Sequence, residues 1–201
     1  MSWTSFIHVA AVAAGTLLVR ASDGAVEVYF GDEGRAAWEA DVGTWNTMGF
    51  TGFEPGHNPT DEYLDSVGAV FTDGFNQVIG PIPVGFPEDG WGLQSGGVAS
   101  TIDFELVAPT LSLAVLYPGG MNIELWNGDE LVFDAGVGGG GFGNFRGIVS
   151  TVPFDRVRLD DNADVAYVDD IRVGVLIPSP GAAVMLLMTS LAGPGRRRGP
   201  R

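Results

Sequence analysis

The chain has 201 residues and a formal net charge of −15, with no cysteine and no lysine. No disulfide framework, thiolate zinc site, cysteine nucleophile, lysine Schiff base or P-loop can therefore be built from it. Between the leader and the C-terminal arginines all 25 acids face five arginines, a balance of −20 that argues against nucleic acid as a partner. The length suits one domain with short terminal segments. The 31 glycines and 12 prolines suit many short strands joined by tight turns.

In chain order, Phe6 to Val19 is an apolar run followed by polar Ser22-Asp23-Gly24. Its length and small residues predict a secretory signal peptide over residues 1–21. An uncleaved anchor and a buried first strand are the alternatives. Val26 to Phe30 reads as a strand. Asp32 is placed to cap a short helix through Val42, with Trp38 and Val42 inward and Gly43 ending it. Residues 48 to 74 read as strand, exposed loop, strand. Residues 79 to 97, rich in Pro and Gly, read as a long loop or irregular edge.

From Ser100 the pattern is regular. Ile102, Phe104 and Leu106 alternate with Asp103 and Glu105, and Leu111, Leu113, Val115 and Tyr117 share a face of the next strand. Met121, Ile123 and Leu125 lie opposite Asn122, Glu124 and Trp126. Asn127-Gly128 predicts a hairpin returning through Leu131 to Phe133. Residues 136–143 form a glycine loop with neither a following helix nor a lysine, so they are no phosphate cradle. Residues 142–174 then read as strand, turn, strand, acidic loop, strand. Val157 and Leu159 alternate there with Arg156 and Arg158, and Ile171, Val173 and Val175 alternate in the last strand. Short alternating strands at about 8–12-residue spacing predict an antiparallel β-sandwich over residues 22–175.

After Val175 come Pro178-Ser179-Pro180, the apolar Gly181 to Ala192 and then Arg196-Arg197-Arg198. From Val175 to the arginines this segment nears the roughly 20 residues needed to span a bilayer, and the arginines would hold its end on the cytoplasmic side. Residues 177–198 resemble the PEP-CTERM sorting signal of exported bacterial proteins: Pro-x-Pro, hydrophobic helix, arginine cluster. Ser179 stands where the family's glutamate would be. The resemblance implies that residues 176–201 are a sorting tail, transiently membrane-anchored and processed by an exosortase-type enzyme. The segments GFTGFEPG, DEYLDSVGAVFTDG, FRGIVSTVPFDRVRL and VDDIRV resemble the β-sandwich bodies such proteins carry. They imply a jelly-roll-like fold similar to carbohydrate-binding modules, in which an early acid and an acid of the last strand share a structural Ca²⁺.

Asp169 and Asp170 are the first candidate site. Strict alternation from Ile171 and Val173 puts Asp169 on the core face beside Tyr167, and a buried carboxylate needs a partner or a metal. A bulge turning both aspartates to solvent is the alternative. Glu54 is the acid that the resemblance brings alongside them. Asp160, Asn162 and Asp164 begin like a calcium loop, but Val165 and Ile171 occupy the positions that need Gly and Glu, so an acidic turn is the better reading. Trp91, Tyr117 and Trp126 are candidates for a sugar-stacking platform, Trp126 above all because it sits on the polar face of its strand. Core packing is the alternative for all three. Asp103 and Glu105 could mimic part of a glycosidase carboxylate set, or be an ordinary solvent-facing strand. Outside the leader the only histidine is His57, which supports no triad. The sequence thus predicts an all-β, antiparallel, jelly-roll-like sandwich with one short N-terminal helix, a signal peptide and a C-terminal hydrophobic helix. It predicts a non-catalytic protein exported to the bacterial envelope or extracellular matrix. The alternative is a carbohydrate-binding module with structural calcium and an extracellular polysaccharide partner; a glycoside hydrolase ranks behind both.

Overall fold

The computed structural model describes residues 8–12, 16–21, 24–72, 76–81, 89–95, 101–117, 122–136, 144–160 and 166–176. The sorting-tail residues Pro178, Ser179, Pro180 and Arg196 to Arg198, and the loop residues 161–165, lie outside them. Among the described residues no helix is long and apolar enough to cross a membrane, which says nothing of β-barrels.

Among the described residues the protein is all-β with one helix, and every strand pairing is antiparallel. Strands β1 (His8–Val12), β2 (Thr16–Ala21) and β3 (Gly24–Phe30) form a meander. The segment expected as a leader thus adds two strands to one edge of the sheet. Helix α1 (Gly31–Asp41) follows, then β4 (Val42–Met48), β5 (Ala69–Phe71), β6 (Asn76–Ile79) and β7 (Gly92–Ser95). The 17-residue β8 (Thr101–Tyr117), β9 (Asn122–Asn127), β10 (Glu130–Gly136), the 17-residue β11 (Asn144–Asp160) and β12 (Tyr167–Leu176) are the remaining strands of the described residues. The backbone order is β1-β2-β3-β11-β8-β12-β7-β6.

Sequence reading divides each of the two long strands into two; the structure runs each pair together through a bend. The first half of β11 lies between β3 and the second half of β8, with Ile148 opposite Leu113 and Val28. Its second half lies between β9 and the first half of β8, with Val157 opposite Phe104 and Leu125. Between the halves, in the ladder of β8 with β11, residues 150–153 of β11 stand against the single residue Leu111, and residues 106–109 of β8 then stand against the single residue Asp155. Pro153 and Pro109 sit in these two bulges, where a residue without an N–H interrupts the ladder. Both halves feed one core: Val28, Leu113, Val115 and Ile148 from one, Ile102, Phe104, Ile123, Leu125, Val157 and Leu159 from the other.

Helix α1 packs on a second, smaller cluster of Tyr29, Trp38, Val42, Ala114, Leu116 and Phe145. Trp38 is fully buried, and its Nε1 donates to the Ile148 carbonyl at 3.3 Å. Gly147 makes room for it: a Cβ there would stand 2.7 Å from Trp38 Cγ. Asp32 does not cap the helix as expected. Phe30 holds the cap position without a side-chain bond, and Asp32 and Glu33 instead place negative charge in the first turn, where the helix dipole favours it. The helix ends at Asp41, and Val42 opens β4 before Gly43 is reached. The expected Asn-Gly hairpin forms between β9 and β10, with Gly128 at φ 57°.

Candidate functional site

The acids of β12 owe their placement to a bulge between Asp169 and Arg172, where Asp170 takes φ 50°. Strict alternation therefore fails. Val168, not Tyr167, joins Ile171 and Val173 in the core cluster, and Tyr167 is only half-buried. Asp169 is nonetheless 4% exposed, and its Oδ1 accepts the Asp170 N–H at 2.7 Å. Asp170 turns to Arg172, whose Nη2 lies 2.6 Å from Asp170 Oδ2 while its Nη1 lies 2.8 Å from Glu39 Oε1 on α1. Glu39 also receives Arg35 at 3.1 Å. Arg172 is almost wholly buried, and its Nε has no hydrogen-bond partner. Glu54 is exposed on the loop after β4. Among the described residues no group of three or more His, Cys, Asp or Glu is placed to hold a metal ion. Glu54, Asp169 and Asp170 are thus not gathered into one group, and Asp170 is paired with Arg172.

The loop of residues 49–68 is tied down by its own contacts. Tyr63 donates its hydroxyl to the Gly49 carbonyl, and Phe53 stacks on His57 at 4.9 Å. His57 Nε2 lies 2.5 Å from Glu62 Oε1. Burial alone would raise the Glu62 carboxyl, but N–H groups of Glu62 and Thr60 together with His57 outweigh it and hold the group below its ordinary value. Burial, reinforced by Glu62 and Asp169, pushes the Tyr63 phenol well up. The Tyr29 phenol is pushed further, first by burial and then by Asp41 and Glu27, whose carboxylates it meets at 2.7 Å each.

The three candidate aromatics do not form one platform. Trp91 is half-buried, packs against the main core, and donates its backbone N–H to Asp89 Oδ1 at 2.9 Å. Tyr117 ends β8 opposite Asn144, whereas Trp126 pairs with Arg156, twelve residues further along β11 and past the bend. Trp126 lies on the outer face of its strand, between buried Leu125 and the hairpin turn.

That face is the outer side of β8, β11, β9 and β10 beyond the bend. Ile102, Phe104, Ile123, Leu125, Val157 and Leu159 point inward, so Asp103, Glu105, Glu124, Trp126, Arg156 and Arg158 point out by alternation. Register aligns them in two cross-strand rows. In one, Asp103, Arg158 and Glu124 are neighbours, with Arg158 Nε 2.7 Å from Asp103 Oδ1 and its Nη1 3.9 Å from Glu124 Oε2. The hydrogen bond and charge of Asp103 hold the Arg158 guanidinium above its ordinary value against partial burial. In the other row, Glu105, Arg156, Trp126 and Leu131 are neighbours. The Arg156 guanidinium lies 4.8 Å over the Trp126 ring, whose Nε1 donates to Glu124 Oε2 at 3.1 Å. Beside this row a cleft of about 280 Å³ is lined by Glu105, Leu106, Gly128, Asp129, Asp155 and Arg156. Asp155 Oδ1 accepts the Gly128 N–H at 2.9 Å and so shapes its rim.

The alternation of Arg156 and Arg158 is plain in the sequence, but which acids and which aromatic they meet is set by register across four strands. Arg172 lies on the face opposite Ile171 and Val173, as alternation has it, but α1 covers that face and brings Glu39 to it, which no local pattern shows. No protein-family model, curated protein or solved structure matches the chain.

Proposed function

We propose that the protein is an exported, non-catalytic β-sandwich domain of jelly-roll type, presented at the bacterial envelope through residues 176–201 and binding carbohydrate on the face that carries Trp126. The observation that carries the reading is the row Glu105–Arg156–Trp126–Leu131. A half-buried indole stands there on the outer face of the sheet, between the Arg156 guanidinium on one side and Leu131 on the other. A pyranose ring stacks over the indole in place of the guanidinium, which moves toward Glu105 and bonds sugar hydroxyls. Asp103 is committed to Arg158, which argues against its use as a general acid and for a binding role. The sandwich itself is supported by one core fed from both halves of the bent strands. Export rests on the apolar leader and the Pro-x-Pro, hydrophobic, arginine-rich tail.

The test is affinity electrophoresis and pull-down of the full chain on a panel of polysaccharides, wild type against Trp126→Ala. Retention lost in the variant at an unchanged melting temperature supports the reading. Retention unaffected by the variant, or absent across the panel, defeats it.

A further inference from the structure

The charge on this sheet face narrows what can lie on it. Resting on the carbohydrate reading above, we propose that the occupant is a polysaccharide carrying protonated amines, of the partly deacetylated hexosamine type. All five arginines of the body have work in the fold. Arg35 and Arg172 hold Glu39, Arg146 bonds the Phe145 carbonyl and lies over Phe30, Arg158 holds Asp103, and Arg156 covers Trp126. Only Arg156 is released by a stacking sugar, and the acids Glu105, Asp129 and Asp155 around it leave no net positive charge there to receive a uronate or a sulfate. Around the cleft beside Trp126, Glu105, Asp129 and Asp155 meet the single cation Arg156. Glu105 and Asp129 are both exposed and meet no hydrogen-bond or ion-pair partner among the described residues, so they are open to a ligand.

The geometry suits a repeating chain. One sugar ring stacks on the indole, and the amine of a sugar further along the chain reaches the Glu105 carboxylate two strand spacings away, roughly 10 Å. An ammonium donates up to three hydrogen bonds to such groups and gains from their charge, whereas a carboxylated sugar is repelled. Neutral glucans gain the stacking alone. Complementary charge of this kind acts chiefly on specificity and on salt dependence.

The experiment compares soluble chitosan, a neutral β-glucan and alginate as ligands of the full chain, read by intrinsic tryptophan fluorescence and affinity electrophoresis. Wild type, Trp126→Ala, and Glu105→Gln with Asp129→Asn are each measured. A control, Glu33→Gln with Asp65→Asn, removes the same net charge from exposed positions on α1 and on the loop after β4. The expected result is binding to chitosan that weakens with salt. It falls about tenfold in the cleft double variant but not in the control, and it is lost in Trp126→Ala. Equal or tighter binding to the neutral glucan or to alginate, still lost in Trp126→Ala, overturns the amine proposal while leaving the carbohydrate face standing. Chitosan binding that falls equally in the control and survives Trp126→Ala is non-specific attraction to an acidic protein and overturns it too. Silence from all three ligands defeats the carbohydrate reading itself.

Discussion

The two buried phenols make the fold sensitive to alkali in a way that can be measured cleanly. Tyr29 and Tyr63 are 2% and 7% exposed, and both are held protonated well above the ordinary tyrosine range. For Tyr29 the causes are burial and the carboxylates of Asp41 and Glu27, so ionisation would put a third negative charge between two others. A group whose pKa is raised by folding contributes stability that is complete below its unfolded value and is lost as pH climbs through the folded one. The window therefore opens at about pH 10, the ordinary value for tyrosine. Each phenol then costs about 1.4 kcal/mol per pH unit, so by pH 11 the pair removes about 3 kcal/mol. For a domain of this size that lowers the melting temperature by roughly 6–11 °C. The absence of lysine and cysteine leaves the tyrosines and the amino terminus as the groups titrating there. The assay is thermal unfolding from pH 8 to 11.5 with tyrosinate absorbance followed in parallel. Tyr29→Phe and Tyr63→Phe should each remove about half of the slope. A melting temperature that stays flat to pH 11, or a slope unchanged in both variants, refutes the argument.

Trp38→Ala, which empties the seat of α1 over Gly147, should cost about 3–5 kcal/mol in urea unfolding. Gly147→Ala, which drives a methyl group into the same indole, should cost about 1–3 kcal/mol. Arg172→Ala leaves Asp170 and Glu39 without their shared cation, and a loss of about 3–5 kcal/mol is expected. Arg172→Met, measured in the same denaturant series, should lose less, because it keeps the packing and also removes a buried Nε that has no partner. Glu62 is held below its ordinary value, so its contribution is present above about pH 4.3 and fades as pH falls. Hydrogen-exchange protection factors of the residue 49–68 loop, corrected for intrinsic rates, should accordingly fall in acid, and Glu62→Gln should abolish that fall.

Much of the architecture is legible in the sequence because alternation is a local signal. The β3 strand, the inward Trp38, the Asn-Gly hairpin, the exposed loop between β4 and β5, and the outward Trp126 all follow from neighbours one or two positions away. What is not legible depends on pairing. The residues 79–97 read as irregular, yet Gly92 to Ser95 pairs with both β6 and β12, a partnership that no local pattern announces. The single-residue register shift at Asp169 and Asp170 is equally silent. It substitutes Val168 for Tyr167 in the core and gives Asp170 to Arg172. The candidate site was half visible for the same reason: its side chains could be placed on an outer face, but the stacking of Arg156 on Trp126 needed the register of β9 against β11.

The paired bulges explain how a bent sheet keeps a charged outer face. In the first half of β11 the core residue is Ile148, and in the second half the core residues are Val157 and Leu159. From Ile148 to Val157 is an odd number of steps, as it is from Leu113 to Phe104 across the pair. An unbroken strand with Ile148 inward would send Arg156 and Arg158 into the core and Val157 and Leu159 to solvent. Each strand instead carries three extra residues, β11 around Pro153 and β8 around Pro109, and the two insertions cancel so that the original register resumes. Because the number is odd, the inward set changes parity in both strands together. The face with Trp126, Arg156 and Glu105 therefore exists only while both bulges keep their length. Removing one residue from 150–153 would bury two guanidiniums without partners, a cost of several kcal/mol for each ion, and the half of the sheet that carries the site would be lost before the half that carries the helix.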